Sequence, residues 1–327
     1  SQMEKAPAPI PLWVSFIAKD GARIAAKLDG DTISRTEHHL VLDTAEATFR
    51  FLDVLEAPIP ALLHGFSAPV TLDDGLSIEE RLAQMAHDPD PFTRWEAGQS
   101  IAREIMLTGA DTHASALAAA LGRELDRAQE DAAFAALALR LPDLNELILA
   151  SPAPDPERLY AARENLRRTI ATAHHQRLEA LARAKGEQPF SPSADAAGRR
   201  ALKSAALDLL SALGAEGSDV FSDAFQHATS MTEAAAALEA LGASGSDAFD
   251  DALEQFYKRW RENPLVIDKW FAVQAAAPRS DARILVWRTA RRSRPGNRAY
   301  RAYWRTAVPG RACHGKPPRS AGRYEAG

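Results

Sequence analysis

Two pairs of neighbouring histidines are the residues of this 327-residue chain best suited to binding a metal ion. His38 and His39 lie in a segment with the composition of a β-strand, where adjacent side chains point to opposite faces and cannot share one ion. His174 and His175 precede Glu179, but a helical zinc motif needs two histidines four residues apart. Zinc also requires three or four ligands. We therefore predict no metal site, with His38 and His39 packed or solvated.

The sequence contains no arrangement typical of nucleophilic catalysis. Its one cysteine, Cys313, lies in a segment rich in Pro, Gly and Arg, which is a poor setting for holding a thiolate beside a base. A Gly-x-Ser-x-Gly motif does not occur. Carboxylate pairs such as Asp73 with Asp74 stand at predicted turns or helix starts, where they complement the helix dipole. We predict no catalytic residue and no cofactor in this chain.

The charge of the chain changes sign near its C-terminal end. Residues 283–327 carry twelve Lys and Arg against one acidic residue, so the other residues have a net charge of −16 within the total of −5. Cations interleaved with Tyr300, Tyr303 and Trp304 resemble a nucleic-acid-binding arm. The acidic remainder argues against nucleic acid as a partner. We interpret 283–327 as an aberrant basic tail that is either disordered or the product of a reading-frame error.

The composition also bears on the compartment. No apolar run reaches the ~18 residues that a membrane span needs, and no signal peptide is evident. A single cysteine is typical of a protein from a reducing compartment. We predict a cytoplasmic protein with no membrane partner.

The first seventy residues have the pattern of antiparallel strands. Short runs rich in β-branched and aromatic residues are separated by Asp-Gly pairs, a hairpin signal. The predicted strands are Leu12–Ala18, Arg23–Leu28, Leu40–Leu42, Ala47–Leu52 and a last extended piece, Phe66–Leu72. Four or five strands are too few to close a β-sandwich. The sheet must either pack on the helices that follow or lack partner strands.

The next two hundred residues have the pattern of helices. Ser77 to Glu80 and Ser230 to Glu233 each read as a capping box, in which two side chains satisfy each other's backbone donors. Asp90 followed by Pro91 predicts another helix start. Residues 157–185 are expected to form one long helix.

An internal repeat follows the long helix. Residues 212–225 are echoed 28 positions later by residues 240–253. In each copy we expect a helix to end at Leu-Gly and the next to begin with Ser218 or Ser246 as its N-cap. A helix pair recurring about every 30 residues is typical of a helical solenoid.

Residues 255–278 contain a dense group of aromatic residues. Phe256, Trp260 and Trp270 have helical spacing, and Pro264 stands where a second helix would begin. This pattern predicts a helical hairpin whose aromatic side chains fill a core.

The sequences of several segments resemble the C-terminal part of bacterial aminopeptidase N, one of the M1-type zinc aminopeptidases. The resemblance covers residues 1–282 roughly, and it is closest in the last of the segments. The segments are Pro60-Ala-Leu-Leu63 with Phe66-Ser-Ala-Pro-Val70, Asp90-Pro-Phe-Thr-Arg-Trp-Glu-Ala-Gly-Gln-Ser100, Leu141-Pro-Asp-Leu-Asn-Glu146, Ala162-Arg-Glu-Asn-Leu-Arg-Arg-Thr169, Met231-Thr-Glu-Ala and Tyr257 to Gln274.

This resemblance implies a fold and a function. The fold is mainly α, an α-α superhelix of HEAT/armadillo-like helical repeats preceded by a partial antiparallel Ig-like β-sandwich. The function is that of a non-catalytic portion of a zinc aminopeptidase that forms the wall of the peptide-access cavity. Zinc and the HExxH site belong to the parent enzyme, so we expect this chain to be inactive alone. Its partners would be the upstream catalytic domain and, in that context, peptide.

If Asn297-Arg298 matches an Asn-Arg segment of the family, Arg298 and Arg301 would line the substrate cavity. We expect three parts: a partial Ig-like sandwich at 1–73, helical repeats at 74–282 and the tail at 283–327. A free-standing helical-repeat scaffold that binds a protein partner is the alternative function.

Overall fold

The computed structural model describes residues 8–54 and 56–278. The chain divides into two compact units, residues 1–248 and residues 249–327. Arg298, Arg301, Cys313 and the basic tail lie outside the described residues.

The described part of the first unit opens with five short strands. They are β1 Ile10–Ile17, β2 Lys27–Leu28, β3 Glu37–Leu42, β4 Phe51–Leu52 and β5 Ile59–Leu62. β1 lies in the middle of an antiparallel sheet of order β3-β1-β5, and β2 pairs with β4. Val14, Phe16 and Leu40 are buried between the two sheets. The predicted antiparallel region is therefore present. β1 and β3 are longer than the sequence pattern indicated, whereas β2 and β4 are shorter.

One predicted strand was misplaced. Phe66–Leu72 contains no strand, and the last strand among the described residues is β5, which includes Pro60. Proline cannot donate a ladder hydrogen bond, but it is tolerated on an edge strand. β5 is such an edge, with β1 as its one partner in the described sheet and Pro60 opposite Phe16. Ile59 and Ala61 are buried and alternate with more exposed residues, as in a β-strand. The nearby prolines hid this alternation in the sequence.

β3 separates the first histidine pair as predicted. His38 is buried against Phe16 and Phe51, whereas His39 is exposed and stacks on Trp13 with the ring centroids 4.4 Å apart. The Nε2 atom of His39 also lies 3.0 Å from a carboxylate oxygen of Glu37.

Helices make up most of the remaining described residues. They are α1 Ile78–His87, α2 Pro91–Thr108, α3 Ala114–Asp126, α4 Ala132–Ala138, α5 Leu144–Ala150, α6 Pro156–Ala173, α7 His175–Ala182, α8 Ala194–Ser211, α9 Ser218–Gln226, α10 Met231–Ser244, α11 Phe249–Trp260 and α12 Pro264–Ala276.

The first capping box forms as predicted and the second only in part. Ser77 and Glu80 each accept a hydrogen bond from the other's backbone N–H. Ser230 likewise accepts from the backbone of Glu233 at 3.3 Å. The Glu233 carboxylate, however, accepts from the backbone and hydroxyl of Thr229 at 2.9 and 2.6 Å. It therefore caps one residue earlier than the box requires.

The predicted long helix is broken at His174. α6 ends at Ala173 and α7 begins at His175, because His174 leaves the helical conformation with φ −120°. Its Nε2–H group donates a hydrogen bond to the backbone oxygen of Ala118 in α3, at 2.6 Å. Arg177 donates to the backbone oxygen of Gly122 at 3.1 Å on the same helix. These contacts with α3 accompany the break between α6 and α7, and helix propensity cannot predict them because they depend on a distant part of the chain.

The repeat was correct in spacing and wrong in detail. Gly214 follows α8 with φ +85°, a conformation that favours glycine. In the second copy, Gly242 stays helical and Gly245, with φ +73°, ends α10. Ser218 is the first residue of α9, not its N-cap. Ser246 accepts from the backbone N–H of Ala248 at 3.2 Å, ahead of α11.

The second unit contains the predicted helical hairpin, α11 and α12. Asn263 caps α12 and Pro264 is its first residue. Phe256 and Phe271 are almost wholly buried. The indole N–H of Trp270 donates to the backbone oxygen of Leu253 at 2.9 Å, so the aromatic core also fixes the pairing of the two helices.

Candidate functional site

The first unit contains a cleft of about 910 Å³. Its walls are the connection between α3 and α4, the C-terminal half of α7 with the segment after it, and the first turns of α8. Basic and acidic side chains line it in equal number. They are Arg177, Lys185, Arg199, Arg200 and Lys203, with Glu130, Asp131, Glu187, Asp195 and Glu233.

Two glycines allow the walls of this cleft to approach each other closely. A Cβ atom at Gly198 would lie 3.0 Å from the backbone nitrogen of Ala133, so glycine lets α8 pack tightly on α4. A Cβ atom at Gly186 would overlap the side chains of Thr229 and Glu233. Glycine at both positions therefore follows from packing.

The floor of the cleft is a buried charge pair. Lys203 donates to the backbone oxygen of Ala184 at 2.7 Å, and its Nζ atom lies 3.9 Å from Glu233. Burial would raise the pKa of Glu233, but the hydrogen bonds from Thr229 and the Lys203 charge outweigh it, so this pKa lies below its usual value. The floor therefore remains charged and ties α8 to α10 and to the segment after α7.

The rim of the cleft combines paired and unpaired charges. Arg177 lies 2.5 Å from Asp126, and Arg200 donates to the backbone oxygen of Ser191 while covering the Phe190 ring. Arg199 pairs with Glu187. Among the described residues, the side chains of Lys185, Glu130 and Asp195 have no hydrogen-bond or ion-pair partner. Free charges of both signs suit a ligand that carries both, such as a peptide.

A second cluster brings together Ser15, His64 and Asp88, the residue types of a hydrolytic triad. Ser15 Oγ lies 3.3 Å from His64 Nε2, and that same nitrogen lies 3.1 Å from Asp88 Oδ1. In a triad one ring nitrogen takes the serine proton while the other donates to the carboxylate, which fixes the tautomer and stabilises the imidazolium. Both contacts here use one nitrogen, so the cluster does not have the geometry of a triad.

Sequence reasoning missed both sites. His64 follows β5, and Asp88 stands two residues before the predicted helix start at Asp90, with no motif connecting them. Ser15 and His64, each a lone polar residue among apolar neighbours, were the available signal for the second cluster. The second histidine pair is divided as well: His174 bonds α3, and His175 lies 3.9 Å from Glu179.

The part of the chain that the structure describes contains no group of three His, Cys, Asp or Glu residues placed to hold a metal ion. None of its helices combines the length and the apolar character of a membrane span.

Two family models match the chain. One is described as "Domain of unknown function (DUF3458_C) ARM repeats" and covers residues 78–293. The other is described as "Domain of unknown function (DUF3458) Ig-like fold" and covers residues 1–75. The chain belongs to the DUF3458_C family. The predicted fold class, helical repeats after a partial Ig-like sheet, is confirmed.

Curated relatives of this DUF3458_C chain are named aminopeptidase N. The Caulobacter vibrioides protein is 39% identical over 263 residues, which cover 78% of this chain and 30% of that protein. The Escherichia coli protein is 32% identical over 286 residues, covering 85% and 32%. The chain thus spans about a third of the length of these relatives. The predicted resemblance to the C-terminal part of an M1 aminopeptidase is confirmed.

A solved structure has the same fold. It is titled "Crystal structure of Legionella pneumophila aminopeptidase A in complex with aspartic acid" and matches with a TM-score of 0.70 at 24% identity. The match covers 90% of this chain and 35% of that one.

Proposed function

We propose that this DUF3458_C chain is the non-catalytic C-terminal portion of an aminopeptidase N and forms part of the wall of the peptide-access cavity. The observation that carries the proposal is the homology, which runs through both the Ig-like and the helical-repeat regions of aminopeptidases N. The charged cleft supports it, because a surface that faces peptides must tolerate charges of both signs.

The proposal assigns zinc and hydrolysis to the upstream part of the parent polypeptide. The described residues do not fit a zinc site: His38 and His39 face opposite sides of β3, and no third ligand accompanies either. No HExxH motif occurs anywhere in the sequence. The protein would act in the cytoplasm, which its single cysteine supports.

The upstream domain is the proposed partner, and the β-region offers a surface for it. An apolar space of about 630 Å³ opens between the two sheets, lined by Leu12, Phe16 and Phe51 among others. β3 pairs only with β1 in the described sheet and leaves an edge free, whereas the Pro60 carbonyl of β5 accepts a hydrogen bond from Gln84 of α1. An open core beside a free edge suits further strands or a packed domain.

We expect the purified chain to show no aminopeptidase activity. Alanyl and leucyl p-nitroanilides should give no hydrolysis above buffer, with or without added zinc. The C. vibrioides aminopeptidase N, assayed in parallel, is the positive control. Hydrolysis by the chain that a chelator abolishes would overturn the proposal.

A further inference from the structure

A buried polar contact joins the β-region to the first helices. Ser15 of β1, His64 after β5 and Asp88 between α1 and α2 meet there, each less than one tenth exposed. His64 Nε2 lies 3.1 Å from Asp88 Oδ1. The three residues come from separate elements, so the contact spans the junction of sheet and helices.

The segment that carries His64 has an unusual backbone. Leu63 and Phe66 have φ near +60°, a backbone conformation that residues other than glycine rarely adopt. Gly65 lies between them with φ 62°. The Gly65 N–H donates to Asp90 at 3.0 Å, and the Phe66 ring lies 5.1 Å from that of Phe92. Such a conformation persists only where surrounding contacts hold it.

Asp88 depends on His64 for its charge balance. Its side chain is fully buried, and one carboxylate oxygen, Oδ2, has no hydrogen-bond partner. The other accepts from the backbone N–H of Asp90 at 2.8 Å and faces His64. A buried carboxylate with so few donors is costly unless a cation stands beside it.

The charges that face His64 are mostly negative. Asp88, Asp90 and, from β3, Glu37 surround it, while the Ser15 hydroxyl is neutral. Arg94 of α2 supplies the nearby cation, but its guanidinium binds the backbone oxygen of Asp88 and the carboxylate of Glu124. The hydrogen bond that His64 donates to the Asp88 carboxylate raises the pKa of His64 above its ordinary value, although burial opposes it.

We propose that His64 and Asp88 form a pH-sensitive latch, closed when the imidazole is protonated, that fastens the β-region to the α1–α2 corner. Loss of the proton leaves Asp88 buried without a counter-charge and releases the left-handed segment from Leu63 to Phe66.

The direction of the pH effect follows from the raised pKa. A histidine with a higher pKa in the folded chain stabilises the latch fully below the ordinary pKa of about 6.5. This stabilisation is lost as the pH rises through the folded pKa. The latch therefore opens on the alkaline side.

Hydrogen exchange of the native chain at pH 6 and pH 9, corrected for intrinsic rates, tests the latch. We expect several-fold more opening at pH 9 in peptides that contain Gly65, relative to peptides of α8. His64→Gln and Asp88→Asn should each remove this difference. His227→Gln is the matched control, since His227 forms an exposed pair with Asp223 at 3.0 Å, and it should retain the difference.

A difference that persists unchanged in His64→Gln would overturn the latch. NMR titration of the native chain keeps the test decisive if the variants do not fold. The His64 ring resonance, assigned through its proximity to Ser15, should titrate above 6.5. Titration at or below that value would equally contradict the proposal.

Discussion

Replacing Phe221 with alanine is expected to lower the free energy of unfolding by about 3–5 kcal/mol. Phe221 is fully buried on the inner side of α9, which packs against α7 and α10. The substitution removes the buried ring and its apolar contacts. It also leaves a cavity that the three helices cannot close without moving. Urea unfolding followed by circular dichroism measures the change.

Phe190→Ala is the matched control for Phe221→Ala. Phe190 is 56% exposed and contacts the Arg200 guanidinium at 4.7 Å. An exposed cation–π contact contributes about 0.5–1 kcal/mol, so this variant should lose no more than that. Equal losses from the two variants would show that α9 does not pack as described.

Arg167→Ala is expected to destabilise the chain by about 3 kcal/mol. Arg167 of α6 is 5% exposed and donates to Glu164 at 2.7 Å, to Asp208 at 2.9 Å and to Ser211 at 3.0 Å. Breaking a buried ion pair costs about 3–5 kcal/mol, and the lower end applies because both carboxylates keep some access to water. Thermal and urea unfolding both measure the loss.

The next residue gives a control of the same type on the same helix. Arg168 is exposed, and its Nε atom donates to the backbone oxygen of Ala212 at 3.3 Å. Arg168→Ala should cost about 1 kcal/mol or less. If both variants lose the same stability, the buried charge cluster does not hold α6 to α8.

The features that the sequence predicts well depend on residues that are neighbours in the chain. The Ser77–Glu80 capping box and Pro264 at the start of α12 depend on local hydrogen bonds, which neighbouring residues determine. Phe221 and Phe249 stand at equivalent positions of the 28-residue repeat, and each is buried in its own helix. Local chemistry and periodicity suffice for such features.

The features that the sequence does not predict depend on distant partners. The break at His174 needs the backbone oxygen of Ala118, which lies 56 residues away in the chain. β5 is a strand despite Pro60, because β1 supplies an edge. The latch joins His64 to Asp88 across a helix, and no periodic pattern connects them.

The candidate cleft could not be read from the sequence for a related reason. Its charges come from segments as far apart as Glu130 and Glu233, and each resembles an ordinary solvated side chain. The interpretation of Arg298 and Arg301 as cavity residues stays a prediction, since both lie outside the described residues.

A chimera of C. vibrioides aminopeptidase N, in which this chain replaces the matching third, tests most directly whether the chain forms part of the wall of a peptide-access cavity. The measurement is the ratio of kcat/KM for an alanyl tripeptide to kcat/KM for a long unfolded polypeptide with the same N-terminal residue. The enzyme with that third deleted is the control.

We expect the chimera to favour the tripeptide as the parent enzyme does, and the deletion to lose this preference. A folded chimera that does not discriminate between the two substrates, or that matches the deletion enzyme, would contradict the account.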